Sequence, residues 1–319
     1  MGDVVMDRTG QIAVEAAVRE ELVRANRELG GVAPTIAHRL QSSGQSLVSD
    51  AIVARLRGML EHLAAQLLHL ARDRSRPQRP DRESIDVLAG ILAQDSAVLS
   101  HLYATAMESQ LSERLEKRAA LDPVLSPLLQ ELIGSDRRLT GELAGETLAA
   151  QSRFVQGQRR MQLAISELPA ELFAGLLDEF SEASSAHERE GLARSIDALR
   201  ESYDEATTRL GLLSRLLASI HEDVAATLEL EDAGLALFAS AIAAATQQPR
   251  DLIVLACHER QTVRLALGLR AAGQGDAAID RQVSLLDPSD AVPAGIGAIS
   301  PDRAASLLDA AYSPQRTDR

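Results

Sequence analysis

The sequence predicts an all-α protein: a multi-helix bundle or an irregular helical repeat with a long central helix around 186–222. Three observations predict it. Apolar residues recur at the alternating three- and four-residue spacing that only a helix gathers onto one face. The period-2 alternation of a half-buried strand is absent, with Val and Ile scattered. Prolines and glycines stand where helices start and stop.

The spacing is most regular across residues 185–224. Leu192, Ile196, Leu199, Tyr203, Ala206, Leu210, Leu213, Leu217, Ile220 and Val224 form one seam, and no proline lies between Pro169 and Pro249. Ser185 followed by Glu188 has the spacing of a capping box. In a two-stranded coiled coil the flanking e and g positions carry opposed Glu and Lys, which choose the partner. Here those flanks are mostly small or uncharged, so a central helix packed by neighbours is the first reading and a dimeric zipper the second.

Taken in order, residues 11–29 read as an amphipathic helix stopped by Gly30-Gly31. A short helical turn follows Pro34. A stronger helix covers about 47–72, with the stripe Ile52, Leu56, Met59, Leu60, Leu63, Leu67 and Leu70. Residues 72–82 (RDRSRPQRPDR) carry arginines and prolines but nothing apolar, and read as a solvated linker rather than a docking strip. Further helices are expected near 84–93, 96–118, 136–163, 170–182, 233–246, 250–257, 261–272 and 276–286, and another, opened by Asp122-Pro123 or Ser126-Pro127, runs to Ile133 and is closed by Gly134. Pro123 or Pro127, with Pro169, Pro249 and Pro301, sits at a first helical position, where a missing N–H costs nothing. The chain thus divides into an N-terminal helical pair (1–72), a linker (73–83), a main helical domain (84–287), and a loop with a short C-terminal helix and tail (288–319).

Composition narrows the function classes. The net charge is −13 and aromatics make up 2% of the chain. Phosphate backbones need a basic footprint, and single strands need stacking platforms, so a nucleic-acid partner is not expected. Cys257 is the one cysteine, which excludes an internal disulfide and suits a reducing compartment; it reads as a small buried apolar residue. No signal-like opening and no run long and apolar enough for a bilayer is present, so a cytoplasmic location without membrane association is expected.

The segments YDEATTRLGLLSRLL (203–217), DAGLALFASAIAAATQQPRDLIVLA (232–256) and VRLALGLRAAGQGDAAIDRQVSLLDP (263–288) resemble an uncharacterised all-helical, helical-repeat-like family of alphaproteobacteria. The likeness covers about a third of the chain and consists of packing patterns. It implies an all-helical fold and a bacterial origin, and it carries no catalytic residues.

The histidines are His38, His62, His69, His101, His187, His221 and His258. None has a Glu three residues before it, there is no HExxH, and His62 and His69 stand two turns, about 10 Å, apart, so no metal is expected. His221-Glu222-Asp223 and His258-Glu259 are neighbours that diverge on a helix. Gly273-Gln-Gly275 has the letters of a dinucleotide loop but follows a helix rather than a strand, so it reads as one helix ending and another starting, with Asp276 as N-cap. No Walker-type lysine is present, Lys117 being the sole lysine, and no cofactor is expected. Gly141, Gly145 and Ala149 form a small-residue ridge, which marks a close helix crossing, within the chain by preference and between two copies otherwise.

These readings converge on a non-catalytic protein–protein interaction or regulatory adaptor module, with homodimerisation as an option. The rival is a helical regulatory domain that binds a small apolar ligand; an enzyme with a dispersed site ranks third. The structural residues on which the reading rests are Leu192, Ile196, Leu199, Tyr203, Leu210, Leu213, Leu217 and Ile220. Leu213→Ala is expected to lower stability by about 2–5 kcal/mol through the cavity it leaves. Urea denaturation checks this; an unchanged midpoint would place Leu213 outside the core.

Overall fold

The computed structural model describes residues 8–41, 49–71, 80–183, 189–220, 224–258, 261–289 and 291–312. It is all-α, with no strand among the described residues. The helices are α1 (Arg8–Gly30), α2 (Val32–Gln41), α3 (Asp50–Leu70), α4 (Arg82–Leu92), α5 (Ser96–Ala119), α6 (Pro127–Ile133), α7 (Arg138–Arg159) and α8 (Ala170–Ala183). They continue with α9 (Arg189–Ser202), α10 (Arg209–Ser219), α11 (Val224–Thr227), α12 (Leu230–Thr246), α13 (Arg250–Ala256), α14 (Thr262–Ala271), α15 (Asp276–Leu286) and α16 (Pro301–Tyr312). Short 3-10 turns lie at Ile165–Glu167, Glu205–Thr207 and Ile296–Ala298.

Contacts group the chain into two compact units. One is Met1–Gly31, Met107–Ala144 and Leu217–Arg319; the other is Val32–Ala106 and Gly145–Leu216. These interleave along the chain, unlike the successive segments 1–72, 73–83, 84–287 and 288–319 read from the sequence. Of the arginine-rich stretch, residues 72–79 lie outside the described residues.

In the first unit α14 is the hub, packing with α1, α12, α13, α15 and α16. Val263 to Leu269 are all buried, as expected of a helix surrounded on every side. Helix starts follow capping chemistry. Ser126 accepts from the Leu129 N–H with Pro127 at the first helical position. Asp276 does not cap α15: Gly275 does, and Asp276 is the first helical residue. Pro249 is likewise a cap rather than a first helical residue.

In the second unit α3 buries the stripe read from the sequence, from Ile52 to Leu67, against α4 and its neighbours. Ser49 caps α3 by accepting from the Ile52 N–H, and Asp81 caps α4 by accepting from the Ser84 N–H. α3 also holds the 163–165 segment. His62 Nδ1 lies 2.7 Å from the Leu163 carbonyl oxygen and 2.9 Å from Gln66 Nε2. Gln66 Nε2 donates to the same carbonyl, and its Oε1 accepts from the Ile165 N–H.

The long central helix expected around 186–222 is two helices. α9 ends at Ser202, α10 begins at Arg209, and the chain between them makes an extended step and a 3-10 turn. The proposed cap at Ser185 and Glu188 lies outside the described residues. Apolar spacing misled because heptad counting runs on through a short non-helical segment. Local polar chemistry breaks the helix. Asp204 accepts from the Ala206 N–H, Thr208 Oγ1 accepts from the Gly211 N–H, and both residues are extended. Gly211 is required here: an added Cβ would lie 2.0 Å from the Glu205 carbonyl oxygen.

The break also shifts the seam. Leu192 and Ile196 are buried and Leu199 and Tyr203 half-buried; beyond it α10 buries Arg209, Leu212, Leu213 and Leu216. Leu213 is 1% exposed and Ile220 is buried, whereas Leu210 and Leu217 are half-buried at the side of the face.

The ridge Gly141, Gly145, Ala149 is not a close crossing within the chain. α7 turns Thr140, Leu143, Ala144, Thr147, Ala150 and Gln151 inward and leaves Ala149 exposed. An added Cβ at Gly145 would meet nothing within 4 Å; at Gly141 it would make only ordinary contact with the Ile133 carbonyl. The tight approach in the second unit is instead Gly58 on α3, where an added Cβ would lie 2.5 Å from Met161 Cβ. Gly145→Ala should therefore stabilise the protein by about 0.5–1 kcal/mol through helix propensity. Gly58→Ala should destabilise it by about 1–3 kcal/mol through overpacking. Denaturation midpoints check both signs, and a loss at Gly145 would restore the crossing.

Candidate functional site

Two polar centres and one apolar face stand out. The first centre, in the second unit, joins the turn 165–169 to the turn 203–209. Glu205 Oε1 accepts from the Ala170 N–H at the start of α8 (3.0 Å), and Glu167 Oε2 accepts from the Arg209 N–H at the start of α10 (2.8 Å). Each turn thus lends a carboxylate to the other turn's helix N-terminus, where the exposed N–H groups and the helix dipole favour negative charge. Tyr203 joins them: its hydroxyl donates to the Leu168 carbonyl (2.8 Å), and its ring stacks on Phe173 with centroids 3.9 Å apart. The Arg209 guanidinium lies 3.7 Å over the Phe154 ring and donates to Gln151. The carboxylates are spent on backbone N–H groups, so the arrangement is a lock between turns.

The second centre, in the first unit, is built on enclosed arginines: Arg250, half-buried, and Arg264, buried. Arg250 donates through both terminal nitrogens to Glu108 (2.8 and 2.7 Å) and through Nε to Ser240 (2.8 Å). Glu108 is 1% exposed, so this is a buried bidentate pair. Cys257 is buried nearby, and burial pushes its thiol up to about 12, which removes thiolate reactivity at neutral pH. Arg264, on the first turn of α14, is also 1% exposed, but its Nε and Nη1 have no hydrogen-bond partner. Sequence reasoning missed Arg264. Its signal was an arginine inside an otherwise apolar run, VRLALGL.

A cavity of about 200 Å3 lies between α15 and residues 292–297, lined by Asp276, Asp280, Pro293 and Ile296 among others. Among the described residues no group of three or more His, Cys, Asp or Glu is placed to hold a metal ion. His62 is engaged with Leu163, His69 is exposed, His101 is buried and His258 half-buried; the side chains of His38, His187 and His221 lie outside the described residues. Gly273, at φ 89°, ends α14: the N–H groups of Gly273 and Gln274 return to Arg270 and Leu269, the pairing of a Schellman cap.

The apolar face is on α4. Its inner side packs on α3, while Val87 and Ile91, one turn apart on the outer side, are 61% and 54% exposed, with Gly90 open between them. Among the described residues no single helix is long and apolar enough to cross a membrane. Comparisons with family models, curated proteins and solved structures found no match.

Tyr203 offers a titration test. Burial first, then the charges of Glu205, Glu167 and Asp204, push its phenol up to about 12 from an ordinary 10. A raised folded-state pKa contributes stability that is complete below pH 10 and lost as pH rises towards 12. Tyr203→Phe should reduce that alkaline loss, leaving the parts due to Cys257 and Tyr103, whose thiol and phenol burial also raises. Chemical denaturation between pH 8 and 12 checks this; equal slopes for both proteins would contradict it.

Proposed function

We propose that the protein is a non-catalytic protein–protein interaction or regulatory adaptor module, and that it works in a bacterial cytoplasm. The observation that carries the interaction reading is the outer face of α4, where Val87, Gly90 and Ile91 present an apolar strip left exposed by the described residues. A helix already packed on α3 gives that strip a rigid backing, so docking orders little new chain and costs little entropy. Arg82, held by Glu61 (2.7 Å) and Asp86 (3.0 Å), marks a charged border beside it, the usual anatomy of an apolar centre with a polar rim. The matching occupant is the apolar face of a partner protein's helix. The resemblance of residues 203–217, 232–256 and 263–288 to a helical-repeat-like bacterial family supports the origin. The cavity beside α15 is bordered by Asp276 and Asp280, which does not suit an apolar ligand.

The test compares the wild-type chain with a Val87→Asp/Ile91→Asp variant as bait in extracts of the host, with light scattering of each at several concentrations. The reading predicts a protein captured by wild type and lost with the variant, while the helical circular dichroism stays unchanged. Self-association of the wild type that the variant abolishes identifies the occupant as a second copy. Identical behaviour of the two baits would contradict the reading.

A further inference from the structure

Half-buried Arg250 and buried Arg264 of the first unit meet their surroundings differently. Arg250 meets a carboxylate on Glu108, but among the described residues Arg264 meets none: its partner is the neutral Asn26, which receives a hydrogen bond from Nη2. Asn26 cannot turn to offer more, because its Nδ2 donates to the Ala311 carbonyl (2.8 Å). A buried guanidinium without an anion is expensive, since neither water nor a counter-charge repays its lost hydration. Burial lowers the Arg264 pKa to about 10, and no acidic group among the described residues raises it. At neutral pH the charge is therefore still there.

The surroundings add to the positive potential. Arg264 lies on the first turn of α14, where the helix dipole is positive and acidic residues are normally favoured. The N-cap, Gln261, makes no capping bond; its Nε2 donates to the Ala25 carbonyl (3.1 Å), which leaves Oε1 buried without a donor. The first turn thus holds unmet donors on Arg264 and one unmet acceptor on Gln261. Nη2 has two hydrogens and spends one on Asn26, so one two-nitrogen edge of the guanidinium stays open. An oxyanion fits that edge side-on. A phosphate bearing a P–OH also supplies the donor that Gln261 Oε1 lacks, which an ionised carboxylate cannot do.

We propose that the first turn of α14, through Arg264 and Gln261 with Asn26 behind them, is a buried binding site for a phosphate-class oxyanion. Because Arg264 is 1% exposed, the ion enters during a local opening of the helices around α14 and is then enclosed. It acts as the missing counter-charge, so its effect is on the stability of the native state. This site is independent of the apolar face of α4.

The test is thermal unfolding of the full chain at pH 6.5 and fixed ionic strength, in sodium chloride, acetate, sulfate, inorganic phosphate or glycerol 3-phosphate. Sulfate is excluded from the surface like phosphate and can accept from the Arg264 edge, but it has no O–H for Gln261 Oε1, so the phosphate–sulfate difference reads that added bond. Wild type should melt about 2–4 °C higher in saturating phosphate than in sulfate. Arg264→Met should melt at one temperature in both, and without phosphate it should be no less stable than wild type, since it removes an unpaired buried charge. If Arg264→Met does not fold, Arg264→Gln gives the same comparison. A response to inorganic phosphate identifies the free ion, and a response to glycerol 3-phosphate alone identifies a monoester. Equal phosphate increments in wild type and variant, or a response to acetate alone, would overturn the site.

Discussion

The second unit depends on an exchange of two carboxylates. Glu205 satisfies the N-terminus of α8 and Glu167 satisfies that of α10, so neither turn can move without exposing the first N–H of the other's helix. A single cap contributes about 1 kcal/mol. Reciprocal caps backed by the Tyr203 hydroxyl and the stacked Phe173 ring act together, because disturbing one turn loosens every partner. This is how an Ala- and Leu-rich chain with few aromatics fixes the angle between successive helices: three of its Phe and Tyr side chains, Phe154, Phe173 and Tyr203, gather at this lock.

The lock reaches the proposed interaction face through contiguous contacts. Leu168, which accepts from Tyr203, lies just beyond the 163–165 segment that His62 and Gln66 tie to α3. α3 in turn is the bed on which α4 lies, with Val87 and Ile91 outward. Met161, held left-handed at φ 57°, inserts against Gly58 and sets how closely that segment approaches α3. The first unit is organised differently, by burying polar groups around α14. There Arg250 is matched by Glu108 and Arg264 is not, and this contrast points to a missing ion rather than to general tolerance of buried charge.

Much of the helix inventory was legible in the sequence because its signals are local. Ser49, Asp81 and Ser126 cap helices where their residue type suggests, and the stripe of α3 is buried as its spacing requires. What was not legible depends on contacts distant in sequence. The seam through Tyr203 and Leu210 kept its period across a break made by Asp204 and Thr208, whose capping role is ambiguous until Glu167 and Leu168 arrive from elsewhere. Gly145 and Gly58 are both helical glycines, and only the position of Met161 tells which one is needed. Arg264 looked like one arginine among many because burial on all sides of α14 is a property of five neighbouring helices.

The central claim is that residues 203–208 interrupt the helix and lock to the 165–169 turn. Backbone 13Cα chemical shifts of Asp204 and Thr208 test it most directly. With φ/ψ of −135°/106° and −66°/162°, both residues should show extended-chain shifts between helical shifts on either side. Helical shifts running unbroken from 192 to 219 would contradict the lock and restore the single long helix.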